Sequence, residues 1–561
     1  MADAIVIGSG PNGLVAANLL ADAGWRVLVL EAQPAPGGAV RSDRGVDPEF
    51  VSDLFSSFHP LAVASPAIRG LGLGEFGLRW SRAPLVVAHP LPDGRCAGLY
   101  RDGDGTDGAD AERLERMFGG PDARAWQRLG DRWDELEPHL VNALLTPFPP
   151  VRAGAAIAAR LRAAGLLDLA RFLALPVRRL AEEEFAGDAP GLLLAGCALH
   201  ADLLPEAAGS AAFGWLMAML GRRHGWPVPV GGASALTGAL VRRLESRGGE
   251  VRCGQPVREV LVRDGTALGV RTADGCRHRA RRAVLADTAA TALYGGLVGW
   301  EHLPGSLRRD VGRFQWDFGT VKVDWALRGP VPWTAPLARR AGTVHLGADL
   351  DELGDYAHQV LTGRLPARPF ALFGQMTVAD PSRSPRGTES AWAYTHVPQR
   401  ISADLGPDGI TGRWDEREAE AVADRIERQV ERFAPGFRAL VAARRVLTPP
   451  VLRALDDNLV GGALNGGTAA PHQQLFLRPV PGTAGPRTPV ARLYLASASA
   501  HPGGGVHGAC GANAARAALN AHRRSPARFL RPVGGSATRG WPHRRSAPSE
   551  GNGPSWHSDN A

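Results

Sequence analysis

The chain has little of what staples or redox-tunes a small fold. It carries 5 cysteines in 561 residues, at positions 96, 197, 253, 276 and 510, and no two form a CxxC pair. That spacing excludes a disulfide scaffold, a zinc ribbon and a dithiol redox centre. Isolated cysteines suit a reducing compartment, and no metal site is expected. Lysine is almost absent: of 64 basic residues only Lys322 is a lysine. No apolar run approaches the roughly 20 residues that span a bilayer, so no transmembrane helix is expected. The net charge of +8 is spread thinly, with five Arg against two acidic residues from Ser525 onward. There is no focused nucleic-acid footprint.

What is present is ordinary for a soluble globular protein: 44% apolar and 21% charged residues. The length allows three or four domain-sized units, with a core that needs no staples. The first motif begins at residue 4, which leaves no room ahead of it for a secretory signal. The expectation is a cytoplasmic protein.

Residues 4–31 read as one βαβ unit. An apolar strand at 4–7 leads into Gly8-Ser9-Gly10-Pro11-Asn12-Gly13. A helix follows to Ala23, Gly24 ends it, and a second strand at 27–31 closes on Glu31. GxGxxG alone is a weak signal; strand, helix and distal acid are its confirming contexts. Gly8 permits the tight turn, Gly10 lets backbone approach a pyrophosphate, and Gly13 lets the helix pack on the strand. Pro11 and Asn12 open the helix, where free N–H groups and the positive dipole end favour phosphate. Glu31 is placed to accept from a ribose 2′-OH, which favours FAD or NAD over NADP.

Beyond Glu31, the run through Pro36-Gly37-Gly38-Ala39-Val40-Arg41-Ser42 resembles the ExxxxxGG-x-x-[RS] segment of the phytoene desaturase and amine oxidase flavoprotein superfamily. Near the other end, His501-Pro502-Gly503-Gly504-Gly505-Val506-His507-Gly508 resembles that superfamily's C-terminal flavin segment. Val230-Gly231-Gly232-Ala233-Ser234, with the helix and strands after it, resembles its adenine-lining region. Phe58-His59-Pro60-Leu61 is similar to a branch named for a pyridine nucleotide-disulphide oxidoreductase domain. That name does not fit a chain without a redox CxxC. Ser499-Ala500 stands before His501 where Thr is more usual, a departure that bears on local hydrogen bonding rather than on flavin binding.

The resemblance implies an α/β fold: a Rossmann-like FAD-binding domain (GR2-type) assembled from discontinuous segments, plus an α+β substrate domain. It implies FAD as cofactor. Gly37 and Gly38 would pass close to the ribityl-pyrophosphate, and Arg41 would add charge against it. The backbone of Val257 would pack near the adenine. His501, Gly503, Gly504, Gly505 and Val506 would border the flavin. The free N–H groups of the helix after them would stabilise charge gained on reduction. Two other GxGxxG matches lack context: Arg523 and Arg524 stand where 503–508 would need its acid, and no strand leads into Gly72-x-Gly74-x-x-Gly77. One dinucleotide site is therefore expected. The FAD-binding parts are 1–75, 226–310 and 451–524. The substrate parts are 76–225 and 311–450, and 525–561 reads as a disordered basic tail.

Residues 110–225 read as mainly helical. The nearly uncharged stretch 191–220 is either a cavity lining or a core helix. The Arg-studded stretch 151–179 is either a solvent-facing helix or a peripheral membrane contact. The function expected is that of an FAD-dependent dehydrogenase or desaturase. It would move a hydride from a small, largely apolar substrate, such as a carotenoid-like polyene, to flavin N5. Alternatives are a flavin amine oxidase, which needs an aromatic cage, and a non-catalytic or regulatory flavin-fold protein. The electron acceptor would be oxygen, a quinone or free NAD(P). His59, His501 and His507 are candidate acid–base groups. Lys322, in a strand-like Thr-Val-Lys-Val-Asp run, resembles a lysine that some family members place near flavin N5. Asp47 and Asp53 read as turn and cap residues. The oligomeric state is not fixed by the sequence.

Overall fold

Apolar runs without polar alternation, as at 4–7, 27–30 and 283–286, mark strands covered on both faces. In the computed structural model, which describes residues 1–103, 109–483 and 485–524, these runs meet in a seven-stranded sheet. Ala2–Ile7 pairs in parallel with Val27–Leu30 on one side and with Arg277–Ala286 on the other. Glu250–Arg252 extends the sheet beyond Val27–Leu30, and Leu493–Leu495 joins the end of Arg277–Ala286. The start of Arg277–Ala286 instead pairs antiparallel with Thr266–Thr272, which pairs with Val257–Arg263. Ala4 and Val6 face the helices Pro11–Asp22 and Ala509–Arg524, while Ile5 and Ile7 face the opposite core. Three distant stretches of chain thus build one covered sheet.

The second seven-stranded sheet runs in the order Val441–Leu447, Gly319–Leu327, Glu389–Val397, Ala371–Gln375, Ala341–Leu346, Leu85–Pro90, Cys96–Leu99. Its pairs are antiparallel except Ala341–Leu346 with Leu85–Pro90. Here the strand period of two separates two chemistries. Val321, Val323, Trp325, Val344 and Phe373 are buried with Val422, Ile426 and Val430 of the helix Glu416–Glu431. Thr320, Lys322, Thr343, Trp392 and Tyr394 line a cavity on the opposite face.

Helices cover that opposite face. Gly120–Leu145, Val151–Ala174 and Ser210–His224 share one core with Leu372 and Trp392 of the sheet. Trp133 and Phe172 meet Trp215 edge-on at 5.2 and 5.1 Å. The stretch 191–220 serves both expected roles: Leu192, Leu193 and Leu194 are core, while Phe213, Leu216 and Met217 line the cavity. The Arg-studded stretch is three helical pieces, broken at Arg162, whose backbone is non-helical at φ 54°, and again at Leu175-Pro176, because proline cannot continue the ladder. Several of its arginines are held by neighbours: Arg160 by Glu135 O, Arg171 by Glu183, Arg178 by Glu206 and Asp351. No helix among the described residues is long and apolar enough to cross a membrane. The expected basic tail, 525–561, lies outside the described residues.

The closest helix approach is at Gly511, where an added Cβ would run into the backbone of Asn12. Overpacking of this kind costs about 1–3 kcal/mol. Gly511→Ala is expected to lower the unfolding midpoint in a denaturant titration. Gly154→Ala, in open space on a helix, is expected to leave the midpoint unchanged or raise it slightly. Equal midpoints for the two variants would refute the tight crossing.

Candidate functional site

One cavity of about 1070 Å³ runs between the two sheets. Its first end is the glycine loop. Gly8 is left-handed at φ +92° and turns the chain out of its strand. A Cβ on Gly10 would stand 2.8 Å from Asp287 Oδ2, and one on Gly38 would stand 2.9 Å from Gly10 Cα. The Gly37-Gly38 turn therefore closes directly onto the first loop. Gly13 does not reach the cavity; its N–H donates to Asp287 Oδ2 at 2.8 Å, and the glycine lets helix and strand meet. Glu31 is buried and fixed: Oε2 accepts from Ser9 N and Oγ at 2.8 and 2.6 Å, and Oε1 accepts from Gln33 N. A carboxylate accepts about four hydrogen bonds, so one place stays open toward the cavity it lines.

Asn12 Oδ1 and Thr288 Oγ1 are buried without a partner, and both residues line this end. Orphaned polar atoms beside a Cβ-free cradle at a helix N-terminus fit a dinucleotide. Val257 lines the same end. Past it the wall is His501, Pro502, Gly504, Gly505 and Val506. Gly505 is left-handed at φ +103°, and its missing side chain leaves room for Leu61.

A family model described as "Flavin containing amine oxidoreductase" matches residues 12–293. The chain belongs to that family. FAD is its cofactor, and it is an FAD-dependent oxidoreductase of the amine oxidase and phytoene desaturase type. It is 29% identical over 553 residues to a Mus musculus protein called pyridine nucleotide-disulfide oxidoreductase domain-containing protein 2, covering 91% of this chain and 92% of that one. It is 26% identical over 540 residues to a neurosporene-forming phytoene desaturase of Cereibacter sphaeroides, covering 91% and 92%. An oxidoreductase structure from Methanosarcina mazei shares the fold at a TM-score of 0.57 and 16% identity, covering 92% of this chain and 99% of that one.

In this flavin amine oxidoreductase the expected site residues fall into two groups. Gly8, Gly10, Pro11, Asn12, Glu31, Gly38, Val257, His501, Gly504, Gly505 and Val506 line the cavity, as do His59, Lys322 and His507. Gly37 and Gly503 sit one residue behind the wall. Arg41 is not among the residues that line the cavity. Its guanidinium donates to Gly38 O and Leu455 O at 2.9 and 2.6 Å and lies over Phe55. Those partners hold the glycine turn from behind, which is where its charge is used. Asp47 is a turn residue, accepting from Glu49 N. Asp53 is more than a cap. Fully buried, it accepts from Ser42 Oγ, Ala233 N and Arg383 Nη1.

Burial favours the neutral form of the three candidate histidines. Burial pushes His59 and His507 down to about 4 and lowers His501. His507 Nδ1 accepts from Ala509 N, so its Nε2 donates to Gly503 O. It is a helix cap. His501 Nε2 donates to Thr146 O, which leaves Nδ1 as an unpaired acceptor. His59 Nε2 is unpaired too. Neither can act as an acid near neutral pH. Lys322 Nζ donates to Asp53 O at 2.8 Å, contacts the Asp324 carboxylate and lies 5.8 Å from the Trp392 ring centre. Burial lowers its pKa, against the pull of Asp324.

The sequence reading missed two acids at the nucleotide end, Asp287 and Asp456. Burial pushes them up to about 8 and about 6, and neighbouring Glu31 adds to both shifts. Asp287 follows a parallel strand at its carboxyl end, the general position of ligand crevices in such sheets, and that was the available signal. A neutral Asp287 tolerates a pyrophosphate beside it; an ionised one repels it. FAD retention is therefore expected to fall as pH rises through about 8, followed as release of fluorescent flavin. Asp287→Asn should flatten that dependence, and a variant curve matching wild type would remove Asp287 from the cradle. Stability has the same sign: the folded state holds a proton that the unfolded state releases near the ordinary aspartate value of 3.8. Stability should fall across that interval.

Proposed function

We propose that this enzyme dehydrogenates a small, largely apolar substrate, oxidising a C–C bond as in a carotenoid-like polyene. The observation that carries this reading is the distribution of charge in the cavity. Its carboxylates among the described residues, Glu31, Asp287, Asp456 and Asp457, all belong to the nucleotide end. The other half is walled by Leu140, Leu144, Phe213, Leu216 and Met217, and the cations lining the cavity are Arg258, Lys322 and Arg478. A protonated amine would leave water for a wall that offers it no lining carboxylate, an unfavourable transfer. An electroneutral chain meets a matching surface. Trp392 and Tyr394 do not make a facing cage either. They lie side by side on one strand, stacked at 5.8 Å.

FAD, held by the glycine loop, Glu31 and the second glycine run, would supply the two-electron acceptor for the hydrogen lost from the substrate. The residues of the chain do the rest. The helical wall excludes water and orders the substrate, an alignment that lowers the barrier by entropy. His59 and His501 each present one ring nitrogen without a hydrogen-bond partner among the described residues, open to a contact from the substrate. Leu173 and Leu475 line the cavity and are also 39% and 44% exposed, so they mark its mouth. Phe476, 49% exposed, follows Leu475 and packs on Phe148. An apolar substrate would be handed over at this rim. Reoxidation would fall to oxygen, a quinone or free NAD(P). Anaerobic mixing of the holoenzyme with an acyclic polyene is expected to bleach the visible flavin band, while primary amines leave it intact. Bleaching by amines alone would overturn the reading.

A further inference from the structure

The apolar half of the cavity is not apolar throughout. Its floor is the polar face of the second sheet, and two side chains there are incompletely satisfied. Lys322 and Tyr394 are directly opposed partners on neighbouring strands, and both line the cavity. An ammonium has three protons. Asp53 O and Asp324 take two of those of Lys322, which leaves one donor. The Tyr394 hydroxyl has no hydrogen-bond partner among the described residues. The contrast is Tyr356, whose hydroxyl engages Thr395 Oγ1 and the backbone of His396. The Tyr394 ring is held in place by Trp392, with 20° between the planes, so the hydroxyl cannot swing away to find a partner. Thr343 Oγ1, on another cavity-lining residue, is a buried polar atom without a partner among the described residues.

Hydroxyls and ammonium groups that face a cavity find partners there once a ligand closes it off from water, because an unmade hydrogen bond in a dry site is costly. A pure hydrocarbon would seal the cavity and leave both groups wanting. A ligand oxygen lying between them would satisfy both: Lys322 donates, and the phenol donates or accepts. The oxygen need not be anionic, because the charge of Lys322 is already met by Asp324. We infer that the substrate is an amphiphile, an apolar chain bearing one neutral oxygen function, a hydroxyl or carbonyl, received by the Lys322–Tyr394 pair. This rests on the apolar-substrate reading above and narrows it.

The test compares farnesol with farnesene, two probes of equal chain length that differ in one hydroxyl. Each is titrated into the holoenzyme and followed by the flavin difference spectrum. Farnesol is expected to bind about ten-fold more tightly than farnesene. Tyr394→Phe keeps the ring on Trp392 and removes the hydroxyl. It should reduce that preference to three-fold or less and leave farnesene binding unchanged. Equal affinities in the wild type would overturn the inference without need of the variant. So would a preference that Tyr394→Phe leaves intact. If neither probe perturbs the flavin at any soluble concentration, the apolar-substrate reading itself fails, and this inference with it.

Discussion

The ion pair between Asp53 and Arg383 holds the two halves of the molecule in register. Neither side chain has measurable exposure. Arg383 donates to Asp53, to Asp380 and to Pro229 O. Asp53 also accepts from Ser42 and from Ala233 at the start of the helix Ser234–Ser246. Burial alone would raise the pKa of Asp53; Arg383 and these hydrogen bonds hold it below the usual carboxylate range. Two desolvated charges need their remaining lone pairs and protons matched; Asp53 Oδ1 takes all three of its contacts while Oδ2 has no hydrogen-bond partner among the described residues, and the pair with its partners draws on four separate stretches of chain. The backbone of the same Asp53 then accepts from Lys322. The position of Lys322 in the substrate half is thus set by a residue whose side chain belongs to the nucleotide half.

That arrangement explains how one cavity can serve two unlike ligands. At the nucleotide end the chain withholds Cβ atoms and offers N–H groups and neutral acids, so backbone does the binding. At the substrate end it offers bulky side chains on helices and a sheet face whose polar residues are few and fixed. The division follows from strand period. Gly319–Leu327 and Glu389–Val397 place Val323 and Ala393 in the core and Lys322 and Tyr394 in the cavity. A one-residue slip in either strand would exchange those faces. The buried Trp325, which donates to Glu427 and stacks on Phe373, opposes such a slip.

Much of the nucleotide end was legible in the sequence, because its chemistry is local. A glycine loop, a helix start and an acid at a strand end lie within one βαβ unit, and spacing alone specifies them. The second glycine run was legible for the same reason. What escaped was long-range. Arg41 looks like a phosphate contact until Leu455, far along the chain, is seen to take its guanidinium. Asp53 looks like a cap until Arg383 arrives. Asp287 and Asp456 carry no motif; their significance is that burial places them beside Glu31.

The substrate end resisted reading for a different reason. Apolar helices that line a cavity and apolar helices that fill a core have the same composition, and 191–220 does both. Only a polar residue on a wall that is otherwise apolar carries information, and its meaning depends on whether its partners are present. Tyr394 and Tyr356 are identical in sequence terms; one has its hydrogen bonds made by the chain and the other does not. Lys322 is likewise informative through the proton it has left over rather than through its charge. In a site whose cofactor is held by backbone, specificity falls to such unfinished side chains. What the protein leaves unsatisfied in its interior is a description of what it binds.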